Sequence, residues 1–477
     1  MAIVYSFQET NFVDFKRTVL YIIDKESKKP LHLQLYEAIK KEIVHERKPG
    51  DKLPSIRKVA TLYNLSKTTV ENAYSQLYAE GYIESRPKSG YNVSDFDFGT
   101  FSPPSKTTPP VPNTPAYRYD FFPAQLDKES FPLKIWKRIY TKVITHELDF
   151  GSYHDGAGEI GLRQEIAKYL TTSRGVSCDA SQIIITAGFS DAMGLLAKLV
   201  KKRYDTFGME EPGYHVARRV FEEYGYAVEK IPVLKDGVSL KAVERSKAQI
   251  LYITPSHQYP TGVTIPIARR LKLLSTMYTR SGLIIEDDYD SELRYYHRPI
   301  PSLQGLDQYD CVVYMGTFAK SLSPALRIAY MVLPQHLLPL FEQSYDAHFP
   351  RVSLTTQKTM EHFMKEGHWE RHLRKIRTQN KKKHHLLKHA LQKHLKESFS
   401  ILAEGGGLAI LIHPTHPFDW ERFQHEAEKE KIKIYLAKER SGGTFEAVRM
   451  GFGGFKEEEI DKAVEAFSKV WFWAFLG

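Results

Sequence analysis

Lys320 stands in the run Gly316-Thr317-Phe318-Ala319-Lys320-Ser321, flanked by hydroxyl residues, with Arg327 seven positions further on. A lysine in a loop is ordinarily a solvated charge. This one has neighbours that supply a distinct chemistry: an amine for a Schiff base, two hydroxyls (Thr317, Ser321) and a guanidinium suited to a phosphate. Upstream, Asp287-Asp288-Tyr289-Asp290-Ser291-Glu292 follows the apolar run LIIE, which places carboxylates and a phenol at a strand end. A carboxylate there suits a protonated pyridine nitrogen. After IIIT, the turn AGFSDAMG opens a helix, and the free amides of Gly188, Phe189 and Ser190 with the helix dipole behind them form an anion cradle. Each signal is weak alone. Together they describe one site.

The elements that must position these residues alternate between strand and helix. IIIT (183–186), ILYIT (250–254), LIIE (283–286) and VVYM (312–315) are short, rich in β-branched residues and separated by helical stretches. That is the pattern of a parallel sheet covered by helices on both faces, an α/β unit. Ligands of such sheets gather at the carboxyl ends of the strands, where the unusual segments lie.

The chain has 477 residues, 42% hydrophobic, 26% charged and 12% aromatic, which is the make-up of a soluble globular protein of more than one domain. No run of 18 apolar residues occurs, arguing against a transmembrane helix, and MAIVYSFQETNFVDFKRTVLYIID lacks the features of a signal peptide. Cys178 and Cys311 are the only cysteines, so neither a disulfide framework nor a cysteine-rich metal site is expected, and a reducing cytoplasm is the natural compartment. Pro103, Pro104, Pro109, Pro110, Pro112 and Pro115 mark an extended linker over about 95–118. The expected organisation is a head of residues 1–94, this linker, and a large unit of 119–477. The net charge is +10; residues 1–94 hold 15 Lys/Arg against 11 Asp/Glu, and 365–396 hold 11 against 2. Leu373, Ile376, Leu387, Leu391 and Leu395 keep helical spacing beneath the second run, which reads as a solvated helix face, with a nucleic-acid surface as the alternative.

The head reads as three helices and a hairpin. Leu31, Leu35, Ile39 and Ile43 recur every fourth residue over 31–46; a second helix starts near Ser55; Asn64-Leu65 turns; and Ser66 caps a third helix that buries Val70, Tyr74 and Leu77 and stops at Gly81. YIESR and GYNV then pair around PKSG. This is the order of a winged helix-turn-helix. Lys67, Thr68 and Thr69, with Asn72 one turn on, would face the major groove; Lys52, Ser55 and Arg57 would meet the backbone; Arg86 and Lys88 tip the wing.

The run GDKLPSIRKVA, followed by LSKTTV and LYAEGY, resembles the GntR family of bacterial transcription regulators, which usually carries arginine where Lys67 stands. The large unit resembles fold-type I aminotransferases that use pyridoxal 5′-phosphate (PLP). Both together resemble the MocR/GabR-type subfamily, over EEPGYHVAR, TPSHQYPTG, IIEDDYDSE and YMGTFAKSLSPALRIAY. The resemblance implies a fold-type I domain with a small α+β subdomain from about 345 to 477. It assigns Lys320 to the Schiff base, Asp287 to the pyridinium nitrogen and Tyr289 to the phenolic oxygen. The phosphate falls to the amides of Gly188, Phe189 and Ser190, to Thr317, Ser321 and Arg327. Tyr214 lies against the ring or the ligand, and Tyr153 is the residue that dimers of the family lend to the partner's site, with each head packed on the opposite subunit. His257, Tyr259 and Arg449 would bind the effector.

Two features depart from the enzymes. Tyr259-Pro260-Thr261-Gly262 replaces their Asn-Pro-x-Gly, which points to sensing more than turnover. Arg449 keeps the guanidinium that clamps an α-carboxylate, whereas members tuned to γ-aminobutyrate carry an arginine where His215 and Val216 stand. The expectation is a cytoplasmic homodimeric regulator that binds operator DNA and senses a small amino-group metabolite by Schiff-base exchange at Lys320. The alternative is a working aminotransferase with an appended DNA-binding head.

Overall fold

The computed structural model describes residues 21–86, 89–96, 116–152, 154–296, 300–343, 352–438 and 446–475. The chain divides into two compact units, Met1–Asn113 and Thr114–Gly477. Tyr153, Lys88 and most of the expected linker lie outside the described residues.

In the smaller unit, helices Leu31–His45, Ile56–Tyr63 and Lys67–Ala79 precede strands Ile83–Arg86 and Gly90–Val93. Their starts and stops follow from local chemistry. The Ser55 side chain accepts from the Lys58 amide, and Ser66 accepts from Thr69, each satisfying an amide the helix leaves free. Between the two helices Asn64 takes φ 47°, a left-handed conformation asparagine tolerates better than most residues. Leu35, Ile39, Ile43, Val59, Val70, Tyr74 and Leu77 share one core with Ile83 and Val93. The hairpin pairs antiparallel from Ile83 with Val93 to Arg86 with Gly90. Glu42 is buried in this unit and pairs with Arg47 at 2.8 Å, while the Tyr21 hydroxyl donates to it.

The larger unit is built on an eight-stranded sheet. Its order is Ile183–Thr186, Ala329–Val332, Val312–Thr317, Leu283–Asp288, Ile250–Ile253, Thr206–Glu211, Ala227–Leu234 and Gly237–Val238. The five strands from Val312–Thr317 to Ala227–Leu234 run parallel. Ala329–Val332 lies antiparallel between Val312–Thr317 and Ile183–Thr186, and the two-residue strand Gly237–Val238 closes the other edge. Separate apolar cores pack on the two faces of the sheet, one under Phe189–Val200 and His215–Glu223, another under Ile267–Thr279. A four-stranded antiparallel sheet, ordered Phe399–Ala403, Ala409–Pro414, Glu446–Gly451 and Leu436–Lys438, forms against the long helix His368–Leu395 and Glu457–Trp473.

The basic run 365–396 is largely that long helix. Leu373, Ile376, Leu387, Leu391 and Leu395 are buried, as their spacing requires. Several of its cations meet acids of the same unit: Lys382 with Glu457, Lys383 with Asp127, Lys388 with Glu404 and Lys393 with Asp461. Among the described residues no helix is long and apolar enough to cross a membrane.

Candidate functional site

A cavity of about 460 Å³ opens at the carboxyl ends of the parallel strands, as the topology of such sheets leads one to expect. Gly188, Phe189, Tyr214, Asp287, Tyr289, Thr317, Lys320, Arg327, Tyr259 and Arg449 all line it. They come from the ends of five strands, the turn before Ala329–Val332 and the smaller sheet.

Strand parity sorts the acidic run. Successive side chains of Leu283–Asp288 point to opposite faces. Asp287 faces the cavity and accepts from the Tyr252 hydroxyl at 2.6 Å. Asp288 points away into a buried ion pair with Arg174 at 2.6 Å and takes the Tyr314 hydroxyl as well. Asp290, just beyond the strand, accepts from His257 Nδ1 at 2.8 Å. Burial pushes the Asp287 carboxyl up to about 7, and the bond from Tyr252 opposes that rise. A cation placed beside it would favour its ionised form.

Lys320 follows Val312–Thr317 through a short turn in which the Ala319 amide donates to Thr317 Oγ1 at 3.1 Å. Burial and the charge of Arg449 bring its amine down to about 8, while Asp290 and Asp287 pull the other way. An amine in that range is a more available nucleophile at neutral pH than an ordinary lysine.

The cradle is formed as the turn chemistry suggested. Gly188 precedes helix Phe189–Val200 with φ 95°, and a Cβ built on it would lie 2.6 Å from Arg327 Nη2. The positive φ favours glycine, and a side chain here would displace that guanidinium, which donates to the Ala187 carbonyl at 2.9 Å. First-turn amides, a guanidinium and the Thr317 hydroxyl therefore share one end of the cavity. The donor set fits a phosphate, and the same cavity holds the amine, the carboxylate and the Tyr289 phenol. The residues present suit PLP.

Aromatic rings wall the remainder. Tyr214 lies 5.3 Å from Phe189 and 5.3 Å from Tyr259, and Tyr259 lies 6.3 Å from Tyr289. Arg449 donates to the Tyr259 hydroxyl at 2.7 Å and rests over its ring at 4.5 Å. His257 is set apart from the main cavity. It lines a narrow adjoining space with Lys320, Tyr289 and Arg449, and its ring stands 6.1 Å from that of Tyr289.

Ser321 is placed differently from the sequence expectation. Its side chain is buried and lines a separate small space with Asp127, Asn380 and Lys383, and its carbonyl accepts from His372 at 2.7 Å. The chain turns immediately after Lys320, so the second hydroxyl leaves the phosphate end. Sequence reasoning missed Tyr252, whose place in ILYIT looks like core, and Glu210, which accepts from the Thr254 amide and hydroxyl and so fixes the loop carrying His257 and Tyr259.

In the smaller unit, Lys52, Ser55, Arg57, Lys67, Thr68, Asn72 and Arg86 are exposed and Thr69 is half-buried. Lys67 pairs with Glu71 at 3.1 Å and Arg86 with Glu84 at 2.6 Å. Ser55 caps its helix, and Thr69 bonds the Ser66 hydroxyl at 2.7 Å.

Residues 126–467 match the family of aminotransferases of class I and II, and residues 31–93 match the bacterial regulatory proteins of the gntR family. An uncharacterized HTH-type transcriptional regulator, YdeL of Bacillus subtilis (strain 168), is 38% identical, covering 93% of this chain and 97% of its own. The probable rhizopine catabolism regulatory protein MocR of Rhizobium meliloti is 33% identical, covering 87% and 88%. The solved structure of LysN, the α-aminoadipate aminotransferase of Thermus thermophilus complexed with N-(5′-phosphopyridoxyl)-L-leucine, superposes with a TM-score of 0.65 at 24% identity, covering 74% of this chain and 91% of that one. That last likeness is one of fold.

Proposed function

The chain belongs to the aminotransferase class I and II family and is a GntR-type regulator of MocR architecture, and from that premise we propose that it is a PLP-dependent transcription regulator that senses a small amino-group metabolite. The observation that carries the reading is Lys320 in one cavity with Asp287, Tyr289 and the Gly188–Arg327 cradle. When bound there, PLP would supply an aldehyde that pairs reversibly with amines.

The chain's own residues do the rest. Gly188 and Phe189 amides, Thr317 and Arg327 would hold the phosphate, and Asp287, kept in place by Tyr252, would hold the ring nitrogen. Tyr289 would donate to the phenolic oxygen. Lys320 would keep or release its amine according to the ligand present. Arg449 would take an α-carboxylate in a fork, with Tyr259 setting its plane and His257 on the distal side. The Asp290 carboxylate holds His257 for that role. Tyr153 would complete the partner's site in a homodimer, and Ser190 would contribute its amide. Lys52, Arg57, Lys67, Thr68, Thr69, Asn72, Arg86 and Lys88 would meet operator DNA, and the cytoplasm is the proposed compartment. A ligand shifts the DNA-binding state only by its differential affinity for the two states.

A second reading, a working aminotransferase, draws on Arg449 and Lys320 lining one cavity. Sustained turnover with a keto-acid acceptor would favour it.

The test is a screen of amines by visible absorbance of the PLP-loaded full chain. α-Amino acids should shift the band, and Arg449→Ala should weaken them by roughly tenfold or more, the scale of a lost charge-assisted hydrogen bond, while sparing amines without a carboxylate. A band that no amine moves contradicts the proposal.

A further inference from the structure

A second cleft in the larger unit, of about 690 Å³, is separate from the Lys320 cavity. It lies where the segment after Asp290 meets the Gly405–Gly407 turn and the long helix His368–Leu395. Arg294, His385, Lys388 and His389 face it, against a single carboxylate, Glu404. His257 closes one wall and also borders the narrow space leading to Lys320.

Two observations mark this cleft as more than a crease. The first concerns Arg294. Among the described residues its guanidinium forms no ion pair, and its side chain donates only to the Ser256 carbonyl. Asp288 and Asp290 act on it from a distance, but Arg174 engages the first and His257 the second. Burial and the nearby charge of Arg174 lower its proton affinity, the mark of a cation short of a counter-charge. Guanidinium groups so placed suit carboxylate or phosphate oxygens. The second is local charge balance. Glu404 is already paired with Lys388 at 2.7 Å, which leaves the Arg294 guanidinium without a carboxylate partner in the cleft. The volume suits a small metabolite.

We infer that this cleft is a second ligand site, for a small organic anion with two or more negative charges, such as a phosphate monoester or a dicarboxylate. Arg294 anchors one oxygen pair from within, and Lys388 and His389 close on the ligand from the long helix. His257 forms part of both walls, so occupancy here bears on the orientation of the Asp290–His257 pair beside Lys320. By reciprocity an anion that alters effector affinity is itself altered by effector. Only this coupling rests on the reading of the Lys320 site; binding does not.

The experiment is calorimetric titration of the full chain with glycerol 3-phosphate and, separately, succinate, at constant ionic strength set with chloride. The two titrants distinguish phosphate from carboxylate as the preferred group. Because Arg294 also braces the Ser256 carbonyl, the primary variant is the surface pair Lys388→Gln/His389→Gln, compared with Arg327→Gln in the other cavity. Binding that weakens roughly tenfold in the first variant and persists in the second supports the site. Glu404→Gln should tighten binding, a gain that a structural role for Glu404 would not produce. Binding lost in Arg327→Gln and kept in the Lys388/His389 variant places the anion at the Lys320 cavity and overturns the inference. So does the absence of heat with both anions at millimolar concentration.

Discussion

Lys320 is half-buried, with the Arg449 charge nearby, and its amine is brought down to about 8. The lowered value belongs to a cation, so the neutral, nucleophilic form gains population as pH rises through about 8 instead of through the ordinary lysine range. The rate at which PLP develops its visible band should therefore climb between about pH 7 and 9 and level off above. A rate still rising steeply at pH 10 contradicts that environment. Much of this site was legible at the level of single residues, because Lys320, Asp287, Arg327 and Gly188 each sit beside a strand end that hydropathy alone locates. What escaped depends on direction. Asp287 and Asp288 are chemically alike in the sequence, and only strand parity sends one to the cavity and the other to Arg174. Ser321 was assigned to the phosphate because it adjoins Lys320, yet the turn carries it to the opposite side. Tyr252 reads as a strand core residue until its hydroxyl is seen on Asp287.

The third helix of the head, Lys67–Ala79, is the element on which the proposed recognition of DNA would turn. Val70, Ala73, Tyr74 and Leu77 anchor one face, so Lys67, Thr68 and Asn72 are presented on the other. Lys67 and Arg86 each share their charge with a neighbouring glutamate, whereas Arg57 forms no ion pair among the described residues. Arg57→Ala should weaken operator binding across sequences and reduce the salt dependence by about one counterion. Thr69→Ala should weaken binding through the start of the helix. Anisotropy titrations at several salt concentrations check both, and unchanged affinity in both variants contradicts the assignment. Boundaries in this unit were legible to within a residue or two, since Ser55, Asn64, Ser66 and Gly81 fix helix ends by local chemistry. In the larger unit the strands run further than their apolar cores suggest: Leu283–Asp288 includes both acids. The antiparallel strand Ala329–Val332 between Ile183–Thr186 and Val312–Thr317 was not legible, because pairing direction leaves no trace in a short apolar run.

At the scale of the whole molecule, one winged helix reaches few base pairs, and specificity over a genome favours two heads on two half-sites. A homodimer held by residues 119–477, as proposed, would supply them. Sedimentation of that fragment with PLP should give a dimer at micromolar concentration; a monomer contradicts the arrangement. The proposed sensing rests on one covalent attachment, that of PLP to Lys320. The most direct measurement is the visible spectrum of the full chain after incubation with PLP and dialysis, beside that of Lys320→Ala. The account predicts a retained visible band in the wild type and its loss from the variant, with the cofactor free to dialyse away. A colourless wild type, or a variant that keeps the same band, would contradict it.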